Sequence, residues 1–219
     1  MGNLKKTDSS TVKRMKERGI YERDRVNVIL DDGFTCHVAY NIDGRPYCTP
    51  TMYWRSGDHV YWHGSSVSRF LKQAVGAQVC FSVTHMDGFV LARSAFNHSM
   101  NYRSVMLFGE VEEVTGSQKL EQLHLMVDKL FPGRWDELRP VTNKELNATT
   151  VLRMAIEEGS AKVREGDPSD NKEDYKLPIW AGVIPLALSA GKLVPDPANL
   201  AGVPVPDHLQ SFLLPGERD

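Results

Sequence analysis

The run Trp62-His63-Gly64-Ser65-Ser66-Val67-Ser68-Arg69 gathers groups suited to holding an anion. A strand-like segment ends near His63, a small polar loop follows, and a helical period opens at Val67. A helix start presents backbone N–H groups that lack an intrahelical acceptor, at the positive end of the helix dipole. The hydroxyls of Ser65, Ser66 and Ser68 and the fork of Arg69 add donors, and together these suit a phosphate monoester. No G-K-[ST] sequence is present, so the stretch is not a Walker loop. The rival reading is structural, with Ser66 as an ordinary N-cap and Arg69 in solvent.

Three further stretches could meet a ligand. In Ser99-Met100-Asn101-Tyr102-Arg103-Ser104-Val105, polar residues crowd the start of a strand that then turns apolar. Arg103 and Ser104 point to opposite faces of that strand, so one can face a ligand while the other meets a helix or a subunit. Pro50-Thr51-Met52-Tyr53-Trp54 is a strand of low charge that could lie along a flat aromatic ring, or be plain core. Trp180, in Ile179-Trp180-Ala181-Gly182, could cover a planar cofactor or sit in the core. The histidines form no metal signature: His59 and His63 fall on a strand, and no H-E-x-x-H occurs. A serine-hydrolase elbow, G-x-S-x-G, is also missing.

These groups need a scaffold. A short helix is expected over residues 10–18, closed by Gly19 and with Lys13, Arg14 and Lys16 on its wet face, behind a loose tail over 1–8. A second helix over 22–30 would bury Val26, Ile29 and Leu30. Strands follow over 34–41, 47–54 and 59–63, the first two joined by the hairpin signal Asp43-Gly44. A helix at 67–75 leads to strands over 79–84 and 89–96, with a turn at Asp87-Gly88, and then to a long strand over 102–114. Thr115-x-x-Gln118 reads as a capping box for an amphipathic helix carrying Leu120, Leu123, Val127, Leu130 and Phe131. Another helix is expected over 143–158, then strands over 160–164 and 179–186 around an acidic loop. Beyond 189 the chain is rich in Pro and Gly and reads as an irregular arm. Six or seven antiparallel strands with inserted helices suggest a mainly β barrel capped by helices, which composition alone does not separate from an open α+β sheet. The expected division is 1–20, tail and short helix; 21–188, barrel domain; 189–219, arm.

The chain has 219 residues, 41% hydrophobic and 25% charged, enough for a full core. Its net charge of −2 and lack of a basic patch argue against nucleic acid as the main partner. Cys36, Cys48 and Cys80 are odd in number and form no C-x-x-C pair, which fits reduced thiols in a cytoplasmic protein. No leader or membrane-spanning run stands out.

The order of these blocks is more specific than any one of them. Asp43-Gly44-Arg45-Pro46-Tyr47-Cys48-Thr49-Pro50 precedes Val60-Tyr61-Trp62-His63-Gly64-Ser65, then Val79-Cys80-Phe81-Ser82-Val83, then Arg103-Ser104-Val105. This resembles the FMN-binding split β-barrel superfamily headed by pyridoxamine 5′-phosphate oxidase. The 92–104 block and Leu177-Pro178-Ile179-Trp180-Ala181-Gly182-Val183-Ile184-Pro185 are similar to its nitroimidazole-resistance-protein-like branch. The resemblance implies FMN as cofactor and a homodimer with FMN at the subunit interface. Pro50, Thr51 and Met52 would border the isoalloxazine ring. His63, Ser68 and Arg69 would hold the ribityl phosphate, helped by backbone near Gly64, Ser65 and Ser66. Ser104, beside Arg103, matches a flavin-contacting position, and Trp180 matches a tryptophan reaching the flavin of the neighbouring subunit. After Trp180, however, no arginine or histidine follows until His208, so the oxidase's grip on pyridoxal phosphate has no counterpart. The implied activity is FMN-dependent oxidoreduction of an unspecified small molecule, with no acid/base pair to name as catalytic. Two alternatives stay open: a flavin-binding module without turnover, and a haem binder on the same barrel with His63 or His98 as axial ligand.

Overall fold

A computed structural model describes residues 2–217. It contains ten strands: β1 (Gly19–Ile20), β2 (Thr35–Ile42), β3 (Arg45–Ser56), β4 (His59–Ser65), β5 (Gln78–Leu91), β6 (Ser99–Glu110), β7 (Glu112–Val114), β8 (Thr149–Ala155), β9 (Glu158–Arg164) and β10 (Gly182–Pro185). The helices are α1 (Arg23–Asp31), α2 (Arg69–Ala74), α3 (Gly116–Leu130), α4 (Asn143–Ala148) and α5 (Asp207–Gln210). The strands pair in the order β1-β9-β6-β5-β2-β3-β4-β8-β7, with β10 added to β5. Every ladder between these strands is antiparallel. The long strand β3 bends the sheet, since Arg45–Met52 pairs with β2 and Tyr53–Ser56 with β4. The result is a split β-barrel around one main core, which includes Val38, Tyr53, Trp62, Phe81, Leu107 and Leu152.

Alternation explains the inner strands. Cys36, Val38 and Tyr40 of β2 are buried while Thr35, His37 and Asn41 are exposed, the period-two pattern of a sheet with one face in a core. The β2–β3 hairpin closes through Asp43 (φ 51°) and Gly44 (φ 77°), both left-handed, as a two-residue primed turn requires. Helix α1 buries Val26, Ile29 and Leu30, the face its period predicts.

Several sequence expectations fail for identifiable reasons. The strand count is ten and not six or seven: β1 is too short to show a pattern, β7 breaks away from the long strand expected over 102–114, and β8 lies in the stretch that reads as a helix. The helix expected over 143–158 ends at Ala148, and β8 follows. Val151 faces α3 while Leu152 and Met154 face the main core, so β8 is buried on both sides and lacks the alternation of a half-buried strand. Asp87-Gly88 is not a turn; β5 runs straight through it with a bulge. Gly88 is needed because β10 lies against it: a Cβ there would meet the Ile184 carbonyl oxygen at 3.0 Å. The capping box forms at Thr142 and Glu145, whereas Thr115 makes no side-chain cap bond.

The N-terminal segment is not a loose tail. Leu4 is 3% exposed, and its N–H donates to the Tyr21 carbonyl at 2.8 Å. The helix expected over 10–18 is reduced to a 3₁₀ turn at Lys16–Arg18, entered through Met15 at φ 55°. The C-terminal arm is irregular, and it returns to the body where Phe212 stacks on Phe131 with ring centres 6.0 Å apart. Among the described residues no helix is long and apolar enough to cross a membrane.

Candidate functional site

Directly paired residues of a sheet share a face, and the registers define one continuous outer face. Pro50 pairs with His37, His37 with Ser82, and Ser82 with Met106. Thr84 pairs with Ser104, Phe89 with Met100, and Ile184 with Phe89. Pro50, Met52 and Ser104 therefore look outward together. Thr51 does not: it pairs with the buried Cys36 and faces the core. The Ser104 hydroxyl donates to the Lys162 carbonyl at 3.1 Å.

Arg103 and Ser104 do lie on opposite faces, and this removes Arg103 from the group. Its guanidinium pairs with Asp87 at 3.0 Å and also with Asp32. The hydrogen bonds it donates to Asp87 are the first cause raising its pKa above the ordinary value, with those to Asp32 adding to them. These carboxylates leave Arg103 occupied at the end of the barrel. There it lines a cleft of about 570 Å³ together with His85 and the returning C-terminal segment around Gly216. No local pattern of residues marks this cleft, because its walls come from distant parts of the chain.

The anion loop is built as follows. β4 ends at Ser65; the Ser66 N–H donates to the Ala148 carbonyl at 2.9 Å, and the Ser68 N–H to the Ser65 carbonyl at 2.9 Å. Gly64 serves packing: a Cβ there would lie 3.0 Å from Leu71, so its absence lets α2 close onto β4. Ser68, not Ser66, is the N-cap of α2, and its side chain makes no cap bond. The Ser65 hydroxyl accepts from the Val67 N–H at 3.4 Å. Among the described residues, the Ser66 and Ser68 hydroxyls have no hydrogen-bond partner and Arg69 has no acidic one. Arg69 is exposed, with its guanidinium carbon 5.4 Å from the centre of the Tyr47 ring. Donors left open in this way can be completed by an oxyanion.

His63 stands at the edge of this loop on the outer face, with its ring centre 6.0 Å from that of Trp54. Trp54 in turn stacks on Tyr61 and donates to Gln122 of α3 at 3.2 Å. Burial alone pushes the His63 pKa below its usual value, and its buried Nδ1 has no hydrogen-bond partner among the described residues. A buried, unpaired ring nitrogen costs free energy unless a ligand meets it.

Trp180 is not a core residue. It is 69% exposed and its ring lies over Gly182, where a Cβ would come within 2.9 Å of it. It precedes β10, and strands β5, β2 and β3 separate β10 from β4 and the anion loop. Within one chain the structure thus brings together His63, Ser65, Ser66, Ser68 and Arg69, and keeps Trp180 apart from them. Sequence reasoning missed the apolar character of the outer face, where Met86, Phe89, Met100, Met106 and Ile184 are all exposed. The one available signal was that residues 102–114 carry apolar side chains at successive positions, as at Val105-Met106-Leu107-Phe108.

Fold and site together define a split-barrel protein of the pyridoxamine-oxidase-like type. A family described as pyridoxamine 5′-phosphate oxidase matches residues 22–163, and the chain belongs to that family. The fold is similar to that of flavocytochrome Anf3 from Azotobacter vinelandii, with 45% identity, TM-score 0.90, and 94% of this chain and 97% of that one covered. It is similar also to an FAD and haem binding protein from Mycobacterium smegmatis, with 37% identity, TM-score 0.88, and 92% and 100% covered. A putative 5-nitroimidazole antibiotic resistance protein from Bacteroides thetaiotaomicron shares the fold at 19% identity and TM-score 0.54, over 66% of this chain and 86% of that one. No curated protein matches the sequence significantly.

Proposed function

We propose that this protein binds a flavin in a groove completed by a second copy of the chain, carries haem as a further cofactor, and transfers electrons to a small molecule. The observation that carries this reading is similarity over nearly the whole chain to two proteins whose names join a flavin with haem or a cytochrome. The chain's own residues agree with it. Ser66, Ser68 and Arg69 offer unpaired donors to a phosphate, and His63 offers an unpaired ring nitrogen beside them. The resemblance to the split-barrel superfamily implies FMN. The same loop would equally hold the flavin-side phosphate of FAD, the form named for the M. smegmatis protein.

Bound flavin supplies one- and two-electron transfer; the protein supplies binding, orientation and exclusion of water. Arg69 and the two serines anchor the phosphate. Pro50 and Met52 present a flat, uncharged strand surface to the ring system. Trp180 stands too far across the sheet to reach the same flavin within one chain, so it serves the site of the second copy. The exposed apolar outer face supports that pairing, since a contiguous apolar surface of this kind marks an association site. Arg103 is held by two carboxylates and no arginine or histidine follows Trp180 until His208, which speaks against pyridoxamine 5′-phosphate as the substrate. Three free cysteines, one of them fully buried, fit a reducing cytoplasm.

The visible spectrum of the purified protein, with chromatography of the released cofactor, tests this reading. A flavin band and a Soret band are expected together, and the released flavin identifies FMN or FAD. Bleaching of the flavin band by NAD(P)H separates a turning-over enzyme from a passive carrier. A colourless protein that takes up neither flavin nor haem would refute the proposal.

A further inference from the structure

The loop between β5 and β6 is unusually well built for a surface loop. The Arg93 N–H donates to both Asp170 carboxylate oxygens at 3.1 Å, the Arg93 Nη1 donates to Asp170 at 3.2 Å, and the Asn97 amide donates to it at 3.2 Å. The Asp170 side chain is fully buried in this arrangement, and the Arg93 guanidinium lies 4.8 Å from the Tyr175 ring centre. On this fixed loop, Phe96 is 100% exposed. The strands that flank the loop carry exposed apolar residues too. Phe89, Met100 and Ile184 share the outer face through their pairings, and the Trp180 ring lies on that face over Gly182.

His98 ends the same loop. Its Nδ1 lies 2.9 Å from the Ser94 carbonyl oxygen. A carbonyl can only accept, so Nδ1 carries the hydrogen and Nε2 keeps a free lone pair. That is the arrangement a metal-ligating imidazole needs: one nitrogen fixed by a backbone carbonyl, which sets tautomer and ring orientation, and the other free to coordinate. Other histidines fit less well. His85 has its Nε2 fixed by the Ile29 carbonyl in the same way, but it lines the cleft beside Arg103 and not the apolar outer face; His124 is stacked on Trp135, and His208 sits by Glu137. His63 has a buried Nδ1 with nothing to fix its tautomer.

We infer that His98 is the axial ligand of a haem seated on the apolar platform of Phe89, Phe96, Met100 and Ile184. This rests on the haem half of the proposed function. An apolar, rigid surface with a single oriented imidazole at its edge suits the face of a porphyrin. A phosphate-bearing ligand would instead seek the cationic loop at Arg69. The two cofactors therefore occupy different regions of the chain, and haem can be lost without loss of flavin.

The test compares wild type, His98→Ala and His63→Ala as purified full-length proteins, each titrated with haemin. Three readouts are taken: the Soret band, flavin released on denaturation, and the thermal midpoint. His98→Ala should bind haem at least tenfold more weakly, keep its flavin and melt like wild type. Added imidazole should restore a Soret band to it, which a general structural defect would not allow. Phe96→Ala, at a position with no packing to lose, should also weaken haem and spare flavin. Wild type that holds flavin but takes no haem would overturn the haem half of the function, and this inference with it. Wild type that takes haem which His98→Ala retains with an unchanged spectrum would overturn the His98 assignment alone. Loss of haem with retained flavin in His63→Ala would overturn it in favour of His63.

Discussion

The two faces of the central strands have opposite characters. On the inner face Phe81, Val83, Val105 and Leu107 are buried within the main core. One residue further along, Met106 looks outward and is 45% exposed, and it shares its face with Phe89, Met100 and Ile184. The outer face is polar at His37, Ser82, Thr84 and Ser104 but apolar at Phe89, Met100, Met106 and Ile184, and that apolar part stands exposed among the described residues. A sheet with one face in a core usually alternates apolar and polar residues. The apolar part of the outer face breaks that rule, which is what a surface to be covered by a second copy and by flat cofactors would require.

Substitutions on either side of one strand sharpen the contrast. Leu107→Ala removes a fully buried side chain and should cost about 2–5 kcal/mol of stability, read from denaturant unfolding. Met106→Asp, its neighbour, should leave the isolated chain's stability nearly unchanged and abolish dimer and flavin together. Equal destabilisation by both would show that the outer face is core in all but accessibility.

The next effect is at the anion loop. Arg69→Ala should weaken FMN by about 1.5–3 kcal/mol, or roughly ten- to a hundredfold, through loss of a charge-assisted contact. Riboflavin, which lacks the phosphate, should bind the variant nearly as well as wild type. Equal loss for both ligands, measured by fluorescence titration, would take Arg69 off the phosphate.

The smallest effect concerns pH. Burial lowers the folded-state pKa of His63. Its unfolded value is about 6.5, so as pH falls below that value the unfolded chain takes up the proton first. The ligand-free protein should therefore lose stability on acidification from about pH 7 to 5, by well under the ceiling of about 1.4 kcal/mol per pH unit for one proton. Replacing His63 by Gln should flatten that slope without removing it, because burial lowers the pKa of His59 as well. An unchanged slope would show that His63 is free to ionise. Bound phosphate should reverse the trend at His63 by favouring the imidazolium.

Much of this was legible in the sequence where local chemistry decides. Asp43-Gly44 marked the hairpin because only left-handed residues close it, and the spacing of Val26, Ile29 and Leu30 marked the buried face of α1. The residues of the anion loop were legible because serines and an arginine cluster within a few positions. What stayed hidden depends on contacts between distant segments. Thr149–Ala155 is a strand because β4 and β7 flank it, a fact its own burial pattern conceals. Arg103 looked available for a ligand because Asp32 and Asp87, which bind it, lie elsewhere in the chain. The exposure of Trp180 becomes informative only once Gly182 places its ring on the outer face.

The central claim is that one flavin site takes residues from two copies of the chain, and sedimentation at low protein concentration, with and without flavin, tests it most directly. A ligand that binds one assembly state selectively stabilises that state. The account predicts that flavin tightens the dimer, that dilution releases it, and that Trp180→Ala weakens flavin binding and alters its spectrum without lowering stability. A monomer that binds flavin stoichiometrically, with the affinity seen in concentrated protein, would contradict it.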